Sequence, residues 1–152
     1  MSDNIAEIVL PEGYEPSEDE SYMGLNHRAF FRNLLMAWRL QLQEGAEKTV
    51  STMTGQKALF ADPTDRAALE SDRNFELRAR DRERKLINKI GKTIRLIEID
   101  EYGDCEDCGV EIGIKRLQAR PVTDLCIDCK TKEEHLERAT ASSNSKDADA
   151  EK

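Results

Sequence analysis

The amino-acid sequence predicts a mainly α-helical protein, in which a long antiparallel coiled-coil hairpin is followed by a small four-cysteine segment and a short C-terminal helix. Charged residues make up 36% of the 152 residues and aromatic residues only 5%, a composition that favours long solvent-exposed helices over a large compact core. Apolar residues recur at spacings of three and four on both sides of Pro63, and the four cysteines form two C-x2-C pairs. Together these observations predict one or at most two small domains.

The charge balance and the distribution of apolar residues limit the possible functions. A net charge of −8 is unfavourable for a protein that wraps DNA or RNA by neutralising phosphates. There is no apolar stretch of roughly 18 residues that would span a membrane. The N-terminus also lacks the basic segment and apolar run of a secretory signal. We therefore expect a cytoplasmic protein with no membrane-spanning segment.

The first 21 residues are predicted to form an acidic N-terminal tail. Residues 1–20 contain seven Asp or Glu and no Lys or Arg, and two prolines and a glycine interrupt any helix there. We interpret this segment as a solvated, mobile or loosely docked tail with a short apolar clip at Ile5–Leu10. A partner-docking arm is the alternative interpretation.

The first helix of the hairpin is predicted over roughly 22–58, within a hairpin assigned to residues 22–101. Its apolar stripe begins with four residues spaced by four, three and four, namely Phe31, Leu35, Trp38 and Leu42. No proline occurs between Pro16 and Pro63. A helix of this length, about 55 Å at 1.5 Å per residue, is typical of a coiled coil.

The second helix of the hairpin is predicted to begin at Pro63 and to run to about Asp100. Asp62 is a suitable N-cap, proline suits the first helical position, and Asp65 follows in the first turn. The seam at the far end consists of isoleucines spaced by three, four and three, namely Ile87, Ile90, Ile94 and Ile97. Two matched helices around a short proline turn predict an antiparallel hairpin with its tip at 60–67.

The hairpin is predicted to be thinner near its tip and basic along its second helix. The apolar residues between Arg66 and Lys85 form no regular heptad pattern. From Arg78 to Arg95 the helix holds eight Lys or Arg and two acids. Such a run is usually a solvated face with salt bridges, but it is also a candidate surface for an acidic partner.

The four cysteines predict one structural zinc ion. Cys105 and Cys108 form the first C-x2-C pair, Cys126 and Cys129 form the second, and 17 residues separate the pairs. This spacing is typical of zinc sites in which two tight turns direct four thiolates at one ion. Since no fourth position remains for water, the site is predicted to be structural rather than catalytic.

The alternatives to zinc are weaker. Disulfides require an oxidising compartment, and no export signal is present. A thioredoxin-like redox pair requires a βαβ unit, which the sequence does not predict. Oxidation that ejects the metal is a possible secondary role of the thiolates. With four cysteines completing the shell, His27 and His135 are predicted to be surface residues.

The zinc-finger segment is assigned to residues 102–130, with turns around short strands such as Val110–Ile112. A C-terminal helix is predicted to start near 126 and to occupy 131–139, followed by a polar, disordered tail at 140–152. There is no glycine-rich phosphate loop and no nucleophile paired with a base. The carboxylates lie on solvated helices, so the sequence favours a binding protein over an enzyme.

The hairpin, its tip sequence and the four cysteines together resemble the DksA/TraR family of bacterial transcription regulators. The resemblance covers about residues 22–138 and begins at the tip, Asp62–Ala67. Further stretches that carry it are Glu76–Arg78, Arg80–Ile87, Cys108–Ile114, Ala119–Pro121 and Asp124–Lys130. Spacing of the cysteines alone indicates only a zinc ribbon or finger.

The resemblance implies a partner and a mechanism. Members of the family bind RNA polymerase, without specific promoter DNA contacts, by inserting the coiled coil into the secondary channel. They destabilise open promoter complexes, inhibit ribosomal RNA promoters and activate some biosynthetic promoters. The alarmone ppGpp, which signals the stringent response, strengthens the effect by binding between regulator and polymerase. We expect a monomer that has no sequence-specific DNA binding.

The resemblance also implies site residues. The family's tip positions fall on Asp62, Asp65 and Ala67, although helix capping alone explains the two acids equally well. The ppGpp-contacting positions fall on Leu86, Lys89, Arg120 and Lys130. Cations suit a polyanion, whereas ordinary surface charge is the alternative interpretation. Arg82 matches a position involved in polymerase binding or activity.

Three competing functions remain at this point. A zinc-finger protein that binds nucleic acid is disfavoured by the net charge and by the lack of paired aromatic residues. A redox-sensing thiol protein would lose zinc under mild peroxide. A transcript-cleavage factor would place similar acids at a similar tip, but those proteins lack the zinc segment.

Overall fold

The computed structural model describes residues 4–55 and 62–147, which form two long helices and a small base. Helix α1 spans Leu25–Gly55 and helix α2 spans Pro63–Glu98. They are antiparallel, because Arg32 near the start of α1 pairs with Glu98 at the end of α2. The predicted hairpin is therefore confirmed. Residues 56–61, which include the expected end of α1 and part of the tip, lie outside the described residues.

Three shorter elements surround the hairpin's base. A 3-10 turn at Ile5–Glu7 precedes the hairpin, α3 spans Ile114–Ala119, and α4 spans Ile127–Asp147. Sequence reasoning did not predict α3, which begins after the turn at Gly113. Within the described parts of the chain, no helix combines the length and the apolar character needed to cross a membrane.

Helix α2 begins as the sequence predicts. The Asp62 carboxylate accepts a hydrogen bond from the Thr64 backbone N–H at 3.0 Å, and Pro63 occupies the first helical position. The Arg66 N–H then donates to the Asp62 carbonyl oxygen at 3.1 Å. Asp65 adds negative charge to the first turn, where it interacts favourably with the positive end of the helix dipole.

The hydrophobic core lies at the base of the hairpin. Phe31 and Leu35 of α1 and Ile90 and Ile97 of α2 are fully buried. The ring of Phe31 also lies 5.5 Å from that of Tyr102, between centroids, which joins the hairpin core to the zinc-finger segment. Three of the four isoleucines of the predicted seam, Ile90, Ile94 and Ile97, are buried in this core.

Packing becomes thinner towards the turn. Trp38 and Leu42 are only partly buried against the core, and Val50 is 47% exposed. On α2, Phe75 and Leu77 are exposed by 69% and 56%. This gradient is the one that the irregular apolar spacing between Arg66 and Lys85 predicts.

The N-terminal segment packs against α1 through a few residues, as the predicted apolar clip implies. A fully solvated tail is excluded for the described residues 4–21, although most of their side chains are exposed. Ile5, within the predicted apolar clip, is 5% exposed, and Pro16 is buried. The Tyr14 ring meets that of Phe30 edge-on at 6.1 Å. Ile5 and the ring contact between Tyr14 and Phe30 are therefore two described points of attachment to the rest of the molecule.

Two predictions for the C-terminal third need correction. The described residues contain no regular strand near Val110–Ile112, only an isolated bridge between Asp104 and Glu111, because tight turns leave too little extended chain. Helix α4 continues through most of the expected disordered tail, 140–152, as far as Asp147. No proline or glycine follows Pro121, and the Thr140 hydroxyl bonds back to the Leu136 carbonyl oxygen. Residues 148–152 lie outside the described residues.

Candidate functional site

The four cysteines come together at one point of the base. The sulfur atoms of Cys105, Cys108, Cys126 and Cys129 all lie within 4.8 Å of one another. The Cys108 and Cys126 sulfurs are 3.7 Å apart. Four sulfurs placed tetrahedrally about 2.3 Å from a zinc ion would be separated by about 3.8 Å. The cluster therefore fits zinc without rearrangement of the backbone.

Local backbone geometry positions the sulfurs. Gly109 has a φ of +70°, which favours glycine, and it closes the first turn by donating to the Cys105 carbonyl oxygen at 2.9 Å. The second pair lies at the start of α4, where the Cys129 N–H points at the Cys126 sulfur at 3.4 Å. Each C-x2-C pair is thus a turn stabilised by its own backbone.

Hydrogen bonding and crowding shift the pKa values of the thiols in opposite directions. The Cys126 backbone N–H donates to the Cys105 sulfur at 3.3 Å and is the main cause that lowers the Cys105 pKa to about 6. The neighbouring Cys126 and Cys108 side chains raise the pKa of Cys129. Four thiolates this close repel one another unless a cation neutralises them. This donor set supports a structural zinc, held by four thiolates with no open position for catalysis.

The first turns of α2 form the described part of the hairpin tip. Asp62, Asp65 and Ala67 are all exposed there. One carboxylate oxygen of Asp62 is used by the cap. Helix α2 has 36 residues, so its first turn lies about 54 Å from its last at 1.5 Å per residue. The acids and the metal centre are therefore at opposite ends of the molecule.

The basic residues singled out by the sequence lie on both sides of the junction between α2 and the zinc-finger segment. Lys89 of α2 pairs with Asp124 of the zinc-finger segment, 3.4 Å between Nζ and Oδ2. A groove of about 360 Å³ is lined there by Lys89, Lys92 and Thr93 from α2 and by Val122 to Asp124. Leu86, one turn before Lys89, packs against the core.

The remaining predicted site residues occupy three separate elements. Arg120 is exposed directly after α3, and Lys130 lies in the first turn of α4. Lys130 pairs with Glu133 at 2.6 Å, and this hydrogen bond is the main cause that raises the Lys130 pKa. Arg82 is exposed on α2, one turn from Arg78, whose carbonyl oxygen accepts its Nε–H at 3.4 Å.

Sequence reasoning missed two residues that join distant parts of the chain. The Tyr22 hydroxyl lies 2.6 Å from the carbonyl oxygens of both Gly103 and Ile112. Arg28 is 8% exposed and donates to the carbonyl oxygen of Ile97. One signal was present, because Arg28 lies three residues before Phe31 and therefore on the buried stripe. His27, predicted at the surface, is 1% exposed.

Two family models match successive parts of the chain. The model described as "DnaK suppressor protein DksA, N-terminal domain" matches residues 27–97. The model described as "Prokaryotic dksA/traR C4-type zinc finger" matches residues 100–135. The first match covers the hairpin and the second covers all four cysteines.

Curated relatives are similar along nearly the whole chain. The chain is 51% identical over 138 residues to the RNA polymerase-binding transcription factor DksA of Escherichia coli K12, covering 91% of each protein. It is 48% identical to the protein of the same name from Haemophilus influenzae, covering 91% of this chain and 95% of that one. Transcription factor DksA2 from Pseudomonas aeruginosa has a similar solved structure, with a TM-score of 0.69 and 35% identity over 77% of this chain and 90% of that one.

Proposed function

The chain belongs to the DksA family, and on that premise we propose that it regulates transcription by binding bacterial RNA polymerase. In this proposal the hairpin enters the secondary channel of the polymerase and destabilises open promoter complexes. Together with ppGpp, the protein represses ribosomal RNA promoters and activates some biosynthetic promoters. The relatives from E. coli and H. influenzae are named as RNA polymerase-binding transcription factors, which supports the first step.

The observation that carries this proposal is the shape of the hairpin and the position of its acids. Two packed helices form a narrow rod, since each helix with its side chains is about 10–12 Å across. Asp62 and Asp65 are exposed at one end of α2, about 54 Å from the base. A rod of this kind suits delivery of negative charge into a channel while the base stays outside.

Within the tip, Asp65 is the better candidate for a functional acid. Asp62 already holds the start of α2 through its bond to the Thr64 N–H. Asp65 lies one position after Thr64 and is not needed as the cap. Under this proposal Asp65 acts on the polymerase, Asp62 combines capping with that role, and Ala67 allows close approach because its side chain is small.

The proposed ppGpp site lies at the junction of α2 and the zinc-finger segment. Lys89, Arg120 and Lys130 supply positive charge for the phosphates, and Leu86 supplies an apolar surface beside them. The Lys89 and Asp124 side chains are 46% and 42% exposed. An ion pair so exposed is weak, so a phosphate can replace Asp124 as the partner of Lys89. Arg82 is proposed to contact the polymerase from the same helix.

Purified core RNA polymerase provides the test. We expect the protein to be retained by the polymerase and to be displaced by another protein that occupies the secondary channel. A photoreactive residue at position 65 should crosslink to the polymerase near its active site. Retention without displacement, or crosslinks only to remote surfaces, would refute the proposed channel binding.

A matched pair of variants tests the acid at the tip. Asp65→Asn should abolish inhibition of a ribosomal RNA promoter in vitro while polymerase binding persists. Asp72→Asn, which removes the same charge from an exposed position about two turns further along α2, should leave inhibition intact. If the Asp65 variant still inhibits the promoter fully, the Asp65 carboxylate contributes only to helix stability.

A further inference from the structure

One buried histidine, His27, has no role in the proposed function. His27 in the first turn of α1 is 1% exposed. Neither of its ring nitrogens has a hydrogen-bond partner among the described residues. A neutral imidazole carries one donor and one acceptor, and buried groups of this kind are normally satisfied. The position of His27 therefore requires an explanation.

The nearest charged group is Glu20. Its Oε2 atom lies 3.8 Å from His27 Nε2, which is longer than a hydrogen bond, about 2.7–3.2 Å. Two ligands of one ion, at about 2.0–2.1 Å for nitrogen and about 2.0–2.2 Å for oxygen, can be separated by up to about 4.3 Å. The gap is thus too wide for a direct bond and suited to a cation between the two atoms.

The carboxylate of Glu20 is already held in place. The Tyr14 hydroxyl donates to the same Oε2 atom at 2.7 Å. Ligating carboxylates in metal sites are commonly oriented by such an outer hydrogen bond. The Glu20 side chain is also 36% exposed, so an ion can reach it from solvent.

Further carboxylates line the same cleft. A cleft of about 260 Å³ separates the N-terminal segment from the zinc-finger segment, and Ser17, Glu18 and Glu111 line it together with Glu20 and His27. None of its lining residues is Lys or Arg. The carboxylates therefore give the cleft a negative potential without a protein cation to balance it.

We propose that His27 and Glu20 bind a first-row divalent cation, with Glu18 and Glu111 moving in to complete the shell. In the described residues only the four cysteines already lie close enough to form a full shell. The second site must gather its outer ligands, so its affinity is lower than that of the cysteines. Mixed nitrogen and oxygen ligands suit Mn²⁺, Co²⁺ or Zn²⁺. The bound ion joins the N-terminal segment to α1 and to the zinc-finger segment.

Manganese is the probe of choice, because it favours oxygen and nitrogen over the thiolates of the cysteine site. Full-length protein carrying one zinc is titrated with Mn²⁺, and free Mn²⁺ is followed by electron paramagnetic resonance. We expect one saturable equivalent. His27→Gln and Glu20→Gln should each weaken binding at least tenfold, whereas His135→Gln, on exposed α4, should not. A zinc content of one per chain and unchanged helicity verify that each variant is folded.

Paramagnetic broadening of amide resonances locates the bound ion. Bound Mn²⁺ should broaden the amide resonances of Ser17 and Ile112 and leave those of α4 beyond Thr140 sharp. Glu20→Gln keeps the proposal testable if His27→Gln does not fold, since Glu20 is at the surface. The proposal is overturned if the wild type shows no saturable Mn²⁺ binding, if the folded variants bind as tightly as the wild type, or if broadening centres elsewhere.

Discussion

The guanidinium of Arg28 in α1 binds the carbonyl oxygen of Ile97 at the end of α2, through Nε at 3.0 Å and Nη2 at 2.8 Å. Nη2 also reaches the Glu98 carbonyl oxygen at 3.3 Å, and Nη1 pairs with Asp100 at 3.2 Å. The last carbonyl groups of a helix have no partner within the helix. Arg28 adds donors from the neighbouring helix to the Ile97 carbonyl oxygen, which also accepts the Asp100 backbone N–H at 3.4 Å.

Arg28→Met is expected to lower the free energy of unfolding by about 2–3 kcal/mol, since it removes the hydrogen bonds that a buried, charged guanidinium donates to the end of α2. Arg32→Met is the matched control. Arg32 makes a single longer contact with exposed Glu98, at 3.4 Å. Its loss should cost about 0.5 kcal/mol. Urea unfolding followed by circular dichroism measures both, and equal losses would contradict the capping role of Arg28.

Gly103→Ala is expected to destabilise the base by about 1–3 kcal/mol. Gly103 has a φ of +110°, and an added Cβ would lie 2.8 Å from both Met23 Cγ and the Tyr22 hydroxyl oxygen. Gly91→Ala, inside α2 where a Cβ meets nothing within 4 Å, should instead stabilise by about 0.5–1 kcal/mol. The prediction is verified if the urea unfolding midpoint falls for Gly103→Ala and rises for Gly91→Ala, each relative to the wild type.

Removal of zinc is expected to unfold the base and to spare much of the hairpin's helicity. Structural zinc contributes about 10 kcal/mol or more in small fingers, which exceeds what the small core around Tyr102 and Leu117 can replace. A strong chelator, or Cys105→Ser, should abolish the near-ultraviolet signal of Tyr102. Asp107→Asn, in the same turn but not a ligand, should retain it. A native near-ultraviolet spectrum without metal would contradict the structural role.

Tyr14 is expected to make stability fall at high pH. Burial, followed by the bond to Glu20, raises the Tyr14 pKa from 10.0 to about 12. Between pH 10 and about 12 the folded state therefore keeps the Tyr14 proton, whereas the unfolded state loses it. The stabilisation by Tyr14 is complete below pH 10 and is lost as the pH rises towards 12. Tyr14→Phe should show a shallower alkaline loss in urea unfolding. Parallel curves for both proteins would exclude this contribution.

Glu133→Gln is expected to increase ppGpp sensitivity about twofold to fivefold. It removes an exposed ion pair with Lys130, and that ion pair competes with the phosphates of ppGpp. This prediction depends on the proposed ppGpp site. Half-maximal ppGpp in a transcription assay with RNA polymerase measures it, with Glu44→Gln on exposed α1 as a control for net charge. An unchanged value would mean that Glu133 does not compete with the phosphates.

The hairpin and the cysteine cluster were predictable because their signals are local. The isoleucine spacing identifies the buried face of α2, and Asp62 with Pro63 marks its start. Two C-x2-C pairs at this spacing are a recognised zinc pattern, although only the fold brings the two turns together. These features depend on residues a few positions apart, which a single sequence displays directly.

The attachment of the base was not predictable, because it depends on distant residues. Tyr22 meets Ile112 across 90 positions, and Arg28 meets Ile97 across 69. His27 is buried only because the N-terminal segment folds back over it. The length of α4 was missed for a different reason, since a polar composition resembles disorder even where no proline or glycine ends the helix.

The decrease in burial from Ile97 to Phe75 divides the hairpin into regions of unequal resistance to local opening. Amide hydrogens of α2 should exchange fastest near its first turns and slowest beside Phe31 and Leu35, because few apolar contacts oppose fraying at the acidic end. Substitutions at Asp65 therefore perturb a region that contributes little to global unfolding. The acidic end can therefore adjust its local conformation to a binding partner while the base retains its structure.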